Sequence, residues 1–164
     1  MFTLDCTGTT AVITGGSSGI GFATAALFLR AGASVAICGR DAARLGQARS
    51  TMLREVQETD PAAARDASTA APADARLLAH ACDVLEPASV AAFAQAVSAR
   101  FGRVDVLVNN AGQGRVSTFA DTDDAAWTEE LKLKFFSLIH PTRAFLPWLE
   151  KSDRGAIVNV NSLL

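Results

Sequence analysis

The 164-residue sequence predicts an α/β fold, a doubly wound parallel sheet with helices on both faces. Three observations carry that expectation. Short apolar runs alternate with segments whose apolar residues recur at helical spacing. A glycine-rich turn, Thr14-Gly15-Gly16-Ser17-Ser18-Gly19-Ile20-Gly21, separates the first run from the first helical stripe. Polar or glycine residues then stand at the ends of the later runs, where a parallel sheet gathers its ligand-binding loops.

The first strand is predicted at Ala11-Val12-Ile13, a run apolar on both faces as parallel strands are. Ile20, Ala23, Leu27 and Ala31 give the first helix its stripe, and Gly32 is placed to end it. Residues 34–38 form the second strand, at an interval that fits a right-handed crossover. A helix from Asp41 towards Glu58 follows, with Leu45, Met52, Leu53 and Val56 as its apolar side. Residues 59–76 are rich in Ala, Asp and Pro and carry no Val, Ile, Leu or Phe, which predicts an exposed, mobile loop. Residues 77–82 recover strand character. A helix between Pro87 and Arg100 carries Val90, Phe93 and Val97, with Gly102 as its stop. Residues 104–108 form the fourth strand. The long helix from Asp124 to Glu150 is expected to place Trp127, Leu131, Leu138, Phe145 and Leu149 on one buried side, with a kink at Pro141. Residues 156–160 form the fifth strand. No repeat or second domain appears, so residues 1–164 read as one domain.

Lys and Arg number 15 against 17 Asp and Glu, a formal charge of -2 that offers no basic surface for nucleic acid. A small-molecule ligand is the expected partner. Cys6, Cys38 and Cys82 lie far apart in no metal-ligand spacing, which predicts buried free thiols and neither disulfides nor a metal site. The first residues lack a signal-peptide pattern and no run is long enough to span a bilayer, so a cytoplasmic protein without a membrane partner is expected.

At the glycine turn, backbone N–H groups can approach a pyrophosphate without hindrance from Cβ, and the helix that follows adds its positive end. Ser17 and Ser18 can donate hydroxyls. An ordinary glycine-rich loop is the alternative. An acidic residue at the end of the second strand would hydrogen-bond the ribose of NAD; here Gly39 is followed by Arg40, whose guanidinium can pair with a 2′-phosphate. This predicts NADP rather than NAD. A solvated surface charge is the other reading of Arg40, and Asp41 beside it counts against the phosphate.

TGGSSGIG at 14–21, CDV at 82–84, NNAG at 109–112 and IVNVNS at 157–162 together resemble the short-chain dehydrogenase/reductase family, over nearly the whole chain. The resemblance implies a Rossmann-like fold and hydride transfer between a nicotinamide dinucleotide and a carbonyl or alcohol substrate. It sets Gly15, Ser17, Ser18, Gly19, Ile20 and Gly21 on the pyrophosphate, Asp83 and Val84 near the adenine, and Asn110, Ala111 and Gly112 on the ribose side. For Asp83, a plain strand-end turn is the alternative. The resemblance further implies that Ser162 stabilises the substrate oxygen, with strand capping as the other reading. Gln113, Gly114 and Arg115 would border the site.

Two departures from the family stand out. Lys134 occupies the position of the family's catalytic Asn, on the stripe of Trp127, Leu131 and Leu138. It reads either as a lysine that snorkels past its neighbours or as a functional cation. The family's proton donor is a Tyr in Tyr-x-x-x-Lys, and the sequence contains no tyrosine. An incomplete dinucleotide-binding domain is therefore expected, with an open edge at its fifth strand and little catalysis of its own. A non-catalytic nucleotide-binding or partner-dependent interaction protein is the alternative. The long helix resembles one that pairs subunits in this family, which implies a homo-oligomer for the complete form.

Overall fold

The computed structural model describes residues 4–59, 71–112 and 118–161. In chain order the elements are β1 (Thr10–Thr14), α1 (Gly19–Arg30), β2 (Ser34–Gly39), α2 (Ala42–Thr59), α3 (Ala73–Arg76), β3 (Leu77–Ala81), α4 (Pro87–Phe101), β4 (Val106–Asn109), α5 (Asp124–Leu149) and β5 (Ala156–Asn159). The strands pair in parallel in the order β3-β2-β1-β4-β5. This is the Rossmann-like, doubly wound sheet, and its strand order reverses between β1 and β4.

Strand periodicity divides the core in two. Ala11 and Ile13 of β1 face α1 and α2, joining Leu29, Val35, Ile37, Leu45 and Met52. Val12 points the other way, into a layer with Ala36, Val90, Phe93, Val97, Leu107 and Phe145 beneath α4 and α5. Phe93 and Phe145 meet edge-on with centroids 5.6 Å apart, which holds α4 against the second half of α5.

The edge of the sheet and α5 differ from one another in how well sequence pattern foretold them. β5 is the outer strand as expected, and all four of its residues are exposed. Along α5, Phe145 and Leu149 are buried, yet Trp127 and Leu131 are exposed, at 41% and 53%. The single buried side read from the sequence is thus a correction: the stripe packs only in its C-terminal half, where α5 lies on α4 and the sheet. Pro141 and Pro147 both lie inside this helix.

The stretch 59–76 also needs correcting. Thr59 ends α2, and residues 73–76 form the short α3, although no large apolar side chain is present to bury. Polar anchoring replaces packing. The Arg76 guanidinium donates to Ala71 O at 2.9 Å, and to Leu29 O and Ala33 O at 3.0 and 2.8 Å, where it satisfies carbonyls at the end of α1. Arg49 pairs with Asp74. The remainder of that stretch, 60–70, lies outside the described residues.

At the amino ends of the strands, Asp105 is buried and accepts from Thr10 N–H at 2.8 Å, Arg103 Nε at 2.9 Å and Ser152 Oγ at 2.6 Å. Burial pushes this carboxyl up, and the hydrogen bonds from Arg103, Ser152 and Thr10 outweigh it, holding the group below the ordinary carboxylate range. One side chain thereby ties β1, β4 and the segment leading into β5. No helix of the described residues is long and apolar enough to cross a membrane.

Candidate functional site

The glycine turn sits at the switch point of the sheet. Gly15 and Gly19 have φ of +67° and +54°, a region other residues rarely adopt. Contact makes a second demand. A Cβ on Gly15 would stand 2.9 Å from Ala111 Cα, and one on Gly21 would stand 2.4 Å from both Asn110 Nδ2 and Gly15 O. Gly19 meets nothing within 4 Å, so its side of the turn is open. The turn is therefore pressed against the end of β4 on one side and free on the other.

Thr14 joins the two strand ends. Its Oγ1 accepts from Asn110 N–H at 3.0 Å and Ala111 N–H at 2.9 Å. Asn110 Nδ2 donates to Thr14 O at 3.0 Å and Gly15 O at 3.2 Å. These bonds hold the turn open where β1 and β4 part. Ser18 is the N-cap residue of α1, but its side chain makes no capping hydrogen bond, which leaves the first N–H groups of the helix for another acceptor. Ser18, Gly19 and Ile20 are exposed, and Ser17 is half-buried.

The ends of β2 and β3 continue the same rim. Gly16 N–H donates to Cys38 O at 3.1 Å, and a Cβ on Gly39 would lie 3.5 Å from Ser17 Oγ, so Gly39 and Arg40 adjoin the glycine turn. Arg40 is exposed. Asp41 Oδ1 accepts from Arg44 N–H at 3.0 Å, which makes this carboxylate the N-cap of α2. On β3, Cys82 N–H donates to Gly39 O at 2.9 Å. Asp83 Oδ1 accepts from Leu85 N–H at 3.0 Å, and Asp83 N–H donates to Ser89 Oγ at 3.1 Å, so the carboxylate does shape the turn while remaining half-buried at the rim. Cys38 and Cys82 are buried free thiols; their mutual hydrogen bond, aided by burial, pushes the Cys38 thiol well up.

Behind Asn110, the buried Asn109 gathers α5 and β5. Its Nδ2 donates to Thr142 Oγ1 at 3.0 Å and to Asn159 Oδ1 at 2.9 Å, and its carbonyl accepts Val160 N–H at 2.9 Å. Asn109 Oδ1 is buried with no protein partner. Lys134 is exposed beside exposed Leu131 and Phe135. The structure does not bury it among apolar neighbours as the stripe implied, since that half of α5 stands clear of the sheet. Gly112 is exposed and Ala111 half-buried. Ser162 and Gln113, Gly114 and Arg115 lie outside the described residues. Among the described residues no group of three or more His, Cys, Asp and Glu could hold a metal ion.

The structure thus brings together Gly15, Ser17, Gly21, Asn110 and Ala111, with Arg40 and Asp83 along the same rim. Thr14, Asn109 and Asn159 stood in the sequence motifs without an assigned role, and Thr142 and His140, which bonds the main chain of Val84, were not singled out. The contacts of Asn109, Thr142, Asn159 and His140 had no local signal, because their partners lie 33 or more residues away.

Residues 9–164 match the short chain dehydrogenase family. The chain is 38% identical over 160 residues to a short chain dehydrogenase, pigC, of Monascus ruber, covering 97% of this chain and 49% of that protein. The NADPH-bound structure of a short chain oxidoreductase from Pseudomonas aeruginosa PAO1, described as containing an atypical catalytic center, is similar at 53% identity with a TM-score of 0.83, over 97% of this chain and 56% of that one. L-sorbose reductase from Gluconobacter frateurii, complexed with NADPH and L-sorbose, gives 31% identity and a TM-score of 0.78 over 99% and 55%. The chain spans about half the length of the curated relatives it matches.

Proposed function

The chain belongs to the short chain dehydrogenase family, and on that premise we propose that it is the cofactor-binding part of an NADP-preferring oxidoreductase acting on a carbonyl or alcohol substrate. The observation that carries this reading is the glycine turn wedged against Asn110 and Ala111 at the switch point, where a Cβ at Gly15 or Gly21 would have no room and the opposite side lies open. That cradle fits a dinucleotide. Gly15, Ser17, Ser18, Gly19, Ile20 and Gly21 would hold the pyrophosphate through backbone N–H groups and hydroxyls, aided by the positive end of α1. Asp83 and Val84 would border the adenine, and Asn110, Ala111 and Gly112 the ribose. When bound, the cofactor supplies or accepts a hydride.

Arg40 supports NADP over NAD. It follows Gly39, which adjoins Ser17 at the rim, and the neighbouring acid Asp41 caps α2. Its carboxylate accepts the Arg44 N–H, so one of its oxygens is engaged at the N-terminus of α2. The relatives with NADPH in their structures accord with this reading. A small-molecule substrate, a cytoplasmic setting and a single dinucleotide-binding domain over residues 1–164 belong to the same proposal.

For catalysis, Ser162 would hydrogen-bond the substrate oxygen, and Lys134 would supply a cation where the family has an amide. The similar Pseudomonas short chain oxidoreductase is described as containing an atypical catalytic center, which accords with a departure from the family pattern here. Lys134, where the family has an amide, also favours a second reading, a nucleotide-binding protein without turnover.

Fluorescence titration decides the cofactor. NADPH is expected to bind saturably and more tightly than NADH, and Arg40→Ala to narrow the gap. Equal affinity for the two cofactors in the unmodified chain would refute the NADP preference, and no binding of either would refute the site. Turnover of a carbonyl panel with NADPH then separates the two functional readings.

A further inference from the structure

We infer that His140, on the long helix, is a positioning residue for the adenosine half of the cofactor site, acting through the main chain of Val84. This rests on the cofactor reading above and adds to it a residue from an element that lies outside the rim.

His140 Nδ1 lies 3.0 Å from Val84 O, and the two residues are 56 apart in sequence. A carbonyl oxygen only accepts, so the contact requires the hydrogen on Nδ1. The imidazole is half-buried and packs against Phe136, with ring centroids 5.1 Å apart, so two contacts restrict its orientation. Val84 is buried among Cys38, Cys82, Val90 and Phe145. Its carbonyl therefore gains from a protein donor what solvent would otherwise provide.

Within the turn, Asp83 Oδ1 accepts from Leu85 N–H, Asp83 O accepts from Glu86 N–H at 3.1 Å, and Asp83 N–H donates to Ser89. These bonds give the turn its local shape. They do not set its place relative to the sheet. Cys82 N–H fixes the near end to β2 through Gly39 O, and His140 fixes the next stretch to α5. Val84 is thereby held from a helix that runs on the opposite side from the glycine turn's own helix, α1. The wall formed by Asp83 and Val84 thus depends on the Nδ1 donor of His140.

The test compares His140→Leu, which keeps apolar bulk and removes the donor, with His140→Asn, whose side-chain N–H occupies nearly the place of Nδ1. Adenosine 2′,5′-bisphosphate reports on the adenosine half alone. His140→Leu is expected to weaken both it and NADPH by about five-fold, the scale of one hydrogen bond, and His140→Asn to restore most of the affinity. Unchanged affinity in His140→Leu overturns the inference, and so does equal weakening in both variants, which would mean packing rather than a donor. Should the unmodified chain bind neither ligand, the cofactor reading fails on its own. Amide exchange in the ligand-free chain then still decides the positioning: exchange at Leu85 and Glu86 is expected to be faster in His140→Leu than in His140→Asn, and equal rates overturn it.

Discussion

Replacing Asp105 by Ala should destabilise the chain by about 3–5 kcal/mol, the range for removing one partner from a buried ionic hydrogen-bond cluster. The magnitude follows from what the carboxylate leaves behind. Thr10 N–H, at 2.8 Å, is buried and would lose its acceptor, at a cost of about 1–3 kcal/mol. Ser152 Oγ, at 2.6 Å, would lose a charged partner, and with it the tether between the end of α5 and β4. Arg103 is half exposed and can turn to water, so its share is small. The pH dependence has a definite sign. The folded carboxyl titrates below its unfolded value, so its contribution is present above the ordinary carboxylate range and is lost as pH falls through the lower folded value. Urea denaturation from pH 7 down to pH 3 should show stability falling below about pH 4 in the unmodified chain and a shallower fall in Asp105→Ala. A loss under 1 kcal/mol at pH 7, or parallel pH profiles, would refute the reasoning.

The glycines of the turn should separate by mechanism. Gly21→Ala drives a methyl to 2.4 Å from Asn110 Nδ2 and Gly15 O, and should cost about 1–3 kcal/mol and lower NADPH affinity more than ten-fold by titration. Gly19→Ala meets no atom within 4 Å and should cost only the backbone strain of φ +54°, about 1–2 kcal/mol by denaturant unfolding. Arg76→Met should destabilise by about 1–2 kcal/mol, because Ala33 O loses the guanidinium donor and Leu29 O is left with the Gly32 N–H, while the aliphatic stem is retained; proteolysis should then cut sooner near α3. Thr14→Val keeps the shape of the side chain and removes the acceptor of two N–H groups, and should weaken NADPH binding at least as much as it lowers thermal stability.

The five strands, the glycine turn and the place of NNAG at a strand end were legible because they depend on local pattern: β-branched runs, glycine spacing and strand-end polarity. Residues 73–76 were not, since Arg76 binds carbonyls 43 and 47 residues earlier, and nothing in an Ala-rich segment announces that. The long helix misled for a related reason. Its periodicity is genuine through Leu149, but periodicity reports a face that could be buried, whereas burial requires something opposite. Phe145 meets buried Phe93; the ring that Trp127 meets among the described residues is the exposed Phe119, 5.9 Å away. Asp41 shows the converse case. Its charge was legible, and its place as the cap of α2 was not.

Thr14 explains why fold and site coincide. Parallel ladders require each strand end to find partners, and at the switch point β1 and β4 part company because the chain leaves them for helices on opposite faces. Two N–H groups, of Asn110 and Ala111, would be left beneath the turn. A threonine hydroxyl accepts both, and a side-chain amide from Asn110 returns two bonds to the carbonyls of Thr14 and Gly15. With those inward groups satisfied, the start of α1 carries no side-chain cap from Ser18, which suits a helix N-terminus to an anion. Valine at 14 would serve the core equally well, and the adjoining Ile13 shows that the strand tolerates branched apolar side chains. The hydroxyl is thus required by the turn.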